Sequence, residues 1–154
     1  MGFEKPSAIQ QKAIKPFLDG KDLIAQAQSG TGKTATFGIS LLESIDENLK
    51  NTQAIIVSHT RELSNQIFNV LTNLSTYMDI SLYQVTGGTS VNKMMEDLQV
   101  KPQILIGTPG RLLDMMNKKA INISTVKHMV IDEADEMLSS GFINQIRDLF
   151  KYLY

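Results

Sequence analysis

The sequence predicts an α/β domain in which a mainly parallel β-sheet carries helices on both faces. Short apolar runs alternate along the chain with longer amphipathic stretches, the order expected when strands and crossover helices take turns. The runs are almost unbroken in apolar character, which suits strands buried on both faces. Size and composition agree: the chain has 154 residues, 42% apolar and 20% charged, with a net charge of −1. Disordered chains instead combine low hydrophobicity with high net charge.

Each element has its own signal. Pro6 is placed to open a helix that reads to Lys15, before Pro16. Leu23-Ile24-Ala25 marks a strand over 23–27, followed by a helix from Lys33 to Ile45. Ala54–Val57 is the second strand. After it, Leu63, Ile67, Val70, Leu71, Leu74 and Tyr77 recur at three- and four-residue spacing and form one apolar helix face. The runs Ile80–Val85, Ile104–Ile106 and His128–Ile131 read as further strands, with Ser90–Leu98, Arg111–Met116 and Phe142–Tyr152 as helices. Met94-Met95 and Met115-Met116 read as helix packing, since methionine fills irregular gaps. There is no repeat, low-complexity tract or linker, so residues 1–154 read as one domain.

Composition excludes several functions. The 15 basic and 16 acidic side chains rule out a broadly basic nucleic-acid glove, so any such binding must come from local geometry. The absence of cysteine excludes disulfide scaffolds, thiolate metal sites and cysteine nucleophiles, and fits a reducing compartment. No apolar run approaches the roughly 18–20 residues that span a bilayer, and no signal-peptide pattern opens the chain. The expectation is a soluble intracellular domain with no membrane partner.

The sharpest motif is Ala27-Gln28-Ser29-Gly30-Thr31-Gly32-Lys33-Thr34, set between a strand and a helix as a P-loop requires. Phosphate oxygens need converging amide donors, and glycines let the backbone approach closely. The helix start adds unpaired N–H groups and a favourable dipole. Lys33 would reach the β- and γ-phosphates, and the Thr34 hydroxyl would ligate Mg2+. Ala27 stands where such loops usually carry their first glycine. Far along the chain, the last apolar run ends in Asp132-Glu133-Ala134-Asp135. A strand delivering two carboxylates at its C-terminal end puts them where open α/β sheets bind ligands. Asp132 can hold the Mg2+ hydration shell, and Glu133 can orient or deprotonate an attacking water. Alone, the pair also fits a helix N-terminal acid pair. GTPases typically read guanine through Asn-Lys-x-Asp and carry Asp-x-x-Gly. Here Asn117-Lys118-Lys119 is followed by Ala120, and Asp132 is followed three residues on by Asp135. ATP is favoured by elimination.

With these motifs in this order, the chain resembles the N-terminal RecA-like domain of DEAD-box RNA helicases, particularly those similar to the translation-initiation helicase. Phe3-Glu4-Lys5-Pro6-Ser7-Ala8-Ile9-Gln10 looks like the adenine-recognising Q motif. Thr60-Arg61-Glu62-Leu63, Gly87-Gly88 and Thr108-Pro109-Gly110-Arg111 look like the RNA-contacting motifs, and Asp132–Asp135 like the motif that names the family. The resemblance implies a RecA-like P-loop fold with ATP and Mg2+ as cofactors. Phe3, Pro6 and Gln10 would hold adenine, and the Gln10 amide offers the donor and acceptor that adenine's edge needs. Residues 27–34 would hold the phosphates, with Lys33, Asp132 and Glu133 catalytic and Thr34 and Asp132 toward the metal, partly through water. Thr60, Arg61, Gly87, Gly88, Thr108, Gly110 and Arg111 would grip single-stranded RNA through its backbone, without sequence specificity. Asp135 would couple ATP state to the rest of the enzyme. Each has a plainer reading as well: helix caps for Thr60 and Thr108, an ordinary loop at Gly87-Gly88, an apolar staple at Phe3-Pro6-Ile9, and a solvated carboxylate at Asp135.

Two departures stand out. The family usually has proline before Thr-Arg-Glu-Leu, where this chain has His59, a side chain able to donate to phosphate. The family also continues into a Ser-Ala-Thr strand and a second RecA-like domain bearing the arginines that complete the ATP site, and neither is in this sequence. The resemblance places the Ser-Ala-Thr strand beside the P-loop strand, so its loss is expected to leave a gap with unpaired backbone groups. The expectation is therefore a C-terminally incomplete domain of an RNA-dependent ATPase and helicase, serving translation initiation in the cytoplasm, or in the nucleus if it serves messenger RNA processing. Initiation-factor scaffold proteins are expected partners. The alternative is a nucleotide-binding or partner-docking module without its own turnover.

Overall fold

The structure, a computed structural model, describes residues 22–25, 31–139 and 141–153. Within them lies a parallel sheet of β1 (Asp22–Ala25), β2 (Ala54–Val57), β3 (Leu82–Val85), β4 (Ile104–Gly107) and β5 (His128–Ile131), in the order β1-β5-β2-β4-β3. The helices are α1 (Thr31–Ser44), α2 (Arg61–Leu74), α3 (Val91–Asp97), α4 (Pro109–Asn117), α5 (Ala134–Ser139) and α6 (Ile143–Leu153). Short 3₁₀ turns at Leu98–Val100 and Ile123–Thr125 complete the connections. No described helix is long and apolar enough to cross a membrane.

Strand periodicity sorts the core into two layers. Ile55, Val57, Leu105, Met129 and Ile131 face one way and pack against Leu112, Met115, Met116, Met137, Ile146 and Phe150. Ala54, Ile56, Ile104, Ile106 and Val130 face the other way, onto Phe37, Leu41, Leu42 and Ile45 and onto Ile67 and Leu71 of α2. Three of the four expected packing methionines (Met94, Met115 and Met116) are buried. Burial carries the stability: each such side chain contributes about 1.5–3 kcal/mol. The pairs Lys50–Asp79, Lys93–Asp97 and Lys118–Asp114 are largely solvated, and exposed pairs contribute about 1 kcal/mol or less.

The expected gap is absent. β1 pairs directly with β5, in the register Asp22↔His128 to Ala25↔Ile131, and β5 pairs in turn with β2. Unpaired backbone groups inside a sheet are costly, so two strands that can meet close the ladder. Tyr77 also departs from expectation. α2 ends at Leu74 with Ser75 as its cap, and Tyr77 beyond it is fully exposed. Ile80–Val85 shortens to Leu82–Val85, and α4 starts at Pro109, before the expected Arg111. Proline suits that first position because its missing N–H would have had no partner there. The expected helix over 6–15 lies outside the described residues.

At the N-terminal ends of the strands, two buried glutamines fasten the connection after α1. Gln53 Nε2 donates to the Asp46 and Leu49 carbonyls, each at 2.9 Å. Gln103 Nε2 donates to the Leu49 carbonyl at 2.9 Å, while its Oε1 accepts from Ser81 N–H at 2.9 Å. The opposite edge is thereby left to the loops that carry the chemistry.

Candidate functional site

In a parallel sheet every strand ends at the same edge, so every motif that follows a strand emerges there. The last residue row, Ala25-Ile131-Val57-Gly107-Val85, is in register across all five strands. Beyond it lie, in the order of their strands, Asp132-Glu133, His59–Arg61, Thr108–Arg111 and Gly87-Gly88. Of the expected phosphate-binding segment, the described residues Thr31–Thr34 open the helix that follows β1, the strand next to the one that carries the acidic pair. The expected RNA-contacting motifs lie toward the other end of the row.

Thr31, Gly32, Lys33 and Thr34 form the first turn of α1, and Thr34 is buried. Phe3, Pro6, Gln10, Ala27, Gln28, Ser29 and Gly30 lie outside the described residues. Asp132 is 1% exposed, and its amide donates to the Val57 carbonyl at 2.9 Å, extending the β5–β2 ladder. Its Oδ2 is buried with no hydrogen-bond partner among the described residues. Burial, and then the adjacent Glu133 carboxylate, push the Asp132 carboxyl up to about 6. A buried carboxylate oxygen left without a partner in this way fits a cation. No cluster of three or more ligating side chains exists among the described residues, so the ion's other positions would fall to water and phosphate. Glu133 has a left-handed backbone with φ 50°, a conformation that costs a non-glycine residue about 1–3 kcal/mol and gathers at functional sites. Asp135 lies in the first turn of α5.

The raised Asp132 carboxyl has a stability consequence. The native state holds this proton more tightly than the unfolded chain, so the group's favourable contribution is complete below pH 4 and is lost as pH rises through about 6. Asp132→Asn is therefore expected to stabilise the metal-free domain by about 2–3 kcal/mol at pH 7 and not at pH 4. The check is the difference in Tm between the two proteins across that range. A pH-independent difference would contradict the assignment.

Thr60 is the N-cap of α2, its Oγ1 accepting from Leu63 N–H at 3.1 Å, so the cap reading holds for this residue. Thr108 occupies the N-cap of α4 but its hydroxyl makes no capping bond. The Arg61 guanidinium lies across Gly88: a Cβ at Gly88 would come within 2.5 Å of its Nη2, whereas one at Gly87 would meet nothing within 4 Å. Arg111 is half-buried and donates through Nη1 to the Thr89 carbonyl at 2.9 Å, so it braces the loop after β3 from across the row. Gly110 is exposed on α4. Gly107 has no room for a side chain, since a Cβ there would sit 2.4 Å from the Val85 carbonyl oxygen. His59 is not simply presented to solvent. Its Nδ1 is buried, and Glu133 Oε2 lies 3.4 Å away. The substitution at the family's proline was the only trace of this contact in the sequence.

Comparison with known proteins agrees with the motif order. Residues 7–154 match the family described as DEAD/DEAH box helicase. The chain is 53% identical over 152 residues to the "ATP-dependent RNA helicase eIF4A" of Phaeosphaeria nodorum and equally to that of Aspergillus niger; each match covers 99% of this chain and 38% of the relative. The chain thus spans well under half the length of these relatives. Among solved structures, Saccharomyces cerevisiae Dbp5 bound to RNA and ADP BeF3 superposes with a TM-score of 0.75 at 33% identity, covering 99% of this chain and 39% of that one. Dbp5 L327V bound to Nup159, Gle1 H337R, IP6 and ADP matches with the same TM-score and identity.

Proposed function

Because the chain belongs to the DEAD/DEAH box helicase family, we propose that it is the ATP- and RNA-binding domain of an RNA-dependent ATPase that unwinds short RNA duplexes or remodels RNA–protein complexes, in translation initiation. The observation that supports this reading is the row at the sheet edge, with the acidic pair beside the strand that precedes α1 and with helix starts, glycines and arginines toward the other end. ATP would sit with its phosphates on residues 27–34 and its adenine against Phe3, Pro6 and Gln10. Asp132 and Thr34 would hold Mg2+, whose role is to neutralise charge on the phosphates. Glu133 would orient and deprotonate the attacking water. Thr60, Arg61, Gly87, Gly88, Thr108, Gly110 and Arg111 would hold the RNA backbone, and Asp135 would link the ATP state to the rest of the enzyme. A second RecA-like domain would close over both ligands and supply the missing arginines. Initiation-factor scaffolds as partners and a cytoplasmic setting belong to the same proposal.

The decisive experiment is a calorimetric titration of the domain with ATP, ADP and GTP in Mg2+. ATP and ADP are expected to bind and GTP to fail; equal binding of GTP would overturn the adenine assignment. A second reading applies to these residues by themselves: a nucleotide-binding or docking module without turnover, favoured by their spanning 38% of the relatives' length.

The Gly87-Gly88 pair separates RNA contact from fold. Gly88→Ala would displace the Arg61 guanidinium, a flexible end that can move without disturbing the backbone. Single-stranded RNA affinity is expected to fall about 10-fold, the loss of one charge-assisted contact, with Tm unchanged. Gly87→Ala meets nothing within 4 Å in the fold, so a loss of affinity there reports the approach of the RNA backbone to this loop and not a shift of Arg61. Fluorescence anisotropy with a labelled oligonucleotide reads both, and parent-like affinity in Gly88→Ala would remove Arg61 from the interface.

A further inference from the structure

We propose that His59 is a positioning residue for Glu133, holding the carboxylate that orients the attacking water and tying it to the start of the RNA-facing helix α2. The proposal rests on the functional reading above and adds a residue to it.

The placement follows from register. β2 and β5 are neighbours with Val57 opposite Ile131, and the ladder continues one step through the Asp132 amide to the Val57 carbonyl. His59 and Glu133 each stand two residues past that last matched pair, so the backbone brings them face to face. The side chains are 17% and 23% exposed, and Nδ1 lies 3.4 Å from Oε2. The His59 ring is backed by Phe142, with ring centroids 6.5 Å apart and planes tilted by 59°. Its Nδ1 is buried and makes no hydrogen bond among the described residues. A buried donor left so is costly, and a carboxylate within reach is the natural acceptor. At 3.4 Å the contact is longer than a good hydrogen bond. Catalytic contacts in ligand-free sites are often long and tighten when substrate binds.

The chemistry gives the pair a purpose. Glu133's backbone is anchored at both ends of its turn, by the Asp132 amide to Val57 and by its own carbonyl, which accepts from Met137 N–H at 2.9 Å. The side chain must also be aimed if the carboxylate is to meet a water in line with the γ-phosphate, and His59 contributes to that aim from the neighbouring strand. The next residues are Thr60 and Arg61, which open α2. A movement of that helix start on engaging RNA would be passed to Glu133 through the imidazole. Proline, usual at this position in the family, could supply no such donor.

The test is steady-state, RNA-stimulated ATPase of the full-length protein carrying this domain. His59→Ala is expected to lower kcat about 10-fold or more, the scale of a misplaced catalytic group, with KM for ATP and affinity for RNA held within twofold. His59→Asn places an amide N–H near the Nδ1 position and should recover most of the lost turnover. His59→Gln places its amide nearer Nε2 and should not. Should the alanine variant fail to fold, the Asn and Gln variants carry the test alone, and equal kcat in those two would overturn the proposal. An unchanged kcat in His59→Ala alongside an inactive Glu133→Gln would overturn it too, while leaving the functional reading intact. Full turnover in Glu133→Gln would sink both.

Discussion

Glu133→Gln in the full-length protein is expected to lower RNA-stimulated kcat about 10²–10⁴-fold, the range a positioned general base contributes. The substitution keeps size and shape, and the new amide oxygen can still accept from His59, so fold and side-chain position should persist. ATP and RNA should bind as before, because the role proposed for Glu133 is to meet the attacking water and not the phosphates or the RNA backbone. The expected signature is thus a fall in kcat with nearly constant KM, measured by phosphate release at saturating RNA. Lys33→Ala should behave differently. It removes a charge from the first turn of α1, the turn proposed to hold phosphate, so nucleotide affinity should drop together with turnover. Unchanged turnover in Glu133→Gln would remove the base assignment. Equal effects of both variants on KM would mean that Glu133 binds nucleotide.

The 154 residues alone are expected to hydrolyse ATP about 10³–10⁵-fold more slowly than the full-length protein, the factor an arginine finger contributes to phosphoryl transfer. The row of motifs described above contains two arginines, and both guanidinium groups lie against the loop after β3: Arg61 beside Gly88, and Arg111 bonded to Thr89. The arginine charge for a transferring phosphoryl group is therefore expected from the second domain. The comparison needs single-turnover hydrolysis by the domain and by the full-length protein at matched RNA and Mg2+. Parent-like rates from the domain alone would place all of the catalytic charge within these residues.

Much of this was legible in the sequence because it depends on short-range physics. Ala54–Val57 and His128–Ile131 coincide with the observed strands, since a four-residue apolar run bounded by polar residues has few other uses in a domain this size. Thr60 and Thr108 open helices because small hydroxyl residues suit that position. What was not legible depends on pairings between distant segments. The direct β1–β5 contact could not be read, because β-strand pattern says which faces are buried and not which neighbour buries them. Arg111 could be read as a phosphate ligand but not as a donor to Thr89, a residue 22 positions earlier. Glu133's left-handed backbone leaves no mark in composition. His59 could be seen as unusual, yet its relation to Glu133 appears only once β2 and β5 are neighbours.

The strand order also sets a schedule for synthesis. β1 is the earliest of these strands to leave the ribosome, and its neighbour β5 is among the last, about 100 residues downstream. At ordinary elongation speeds that is a wait of about 5–20 s, long compared with the microseconds in which helices and collapsed intermediates form. β2 and β4 can pair, with α2 closing over them, while β1 still lacks its neighbour. The arrival of β5 brings the acidic pair and the partner of β1 in one step, so the sheet is completed at its β1 edge only then.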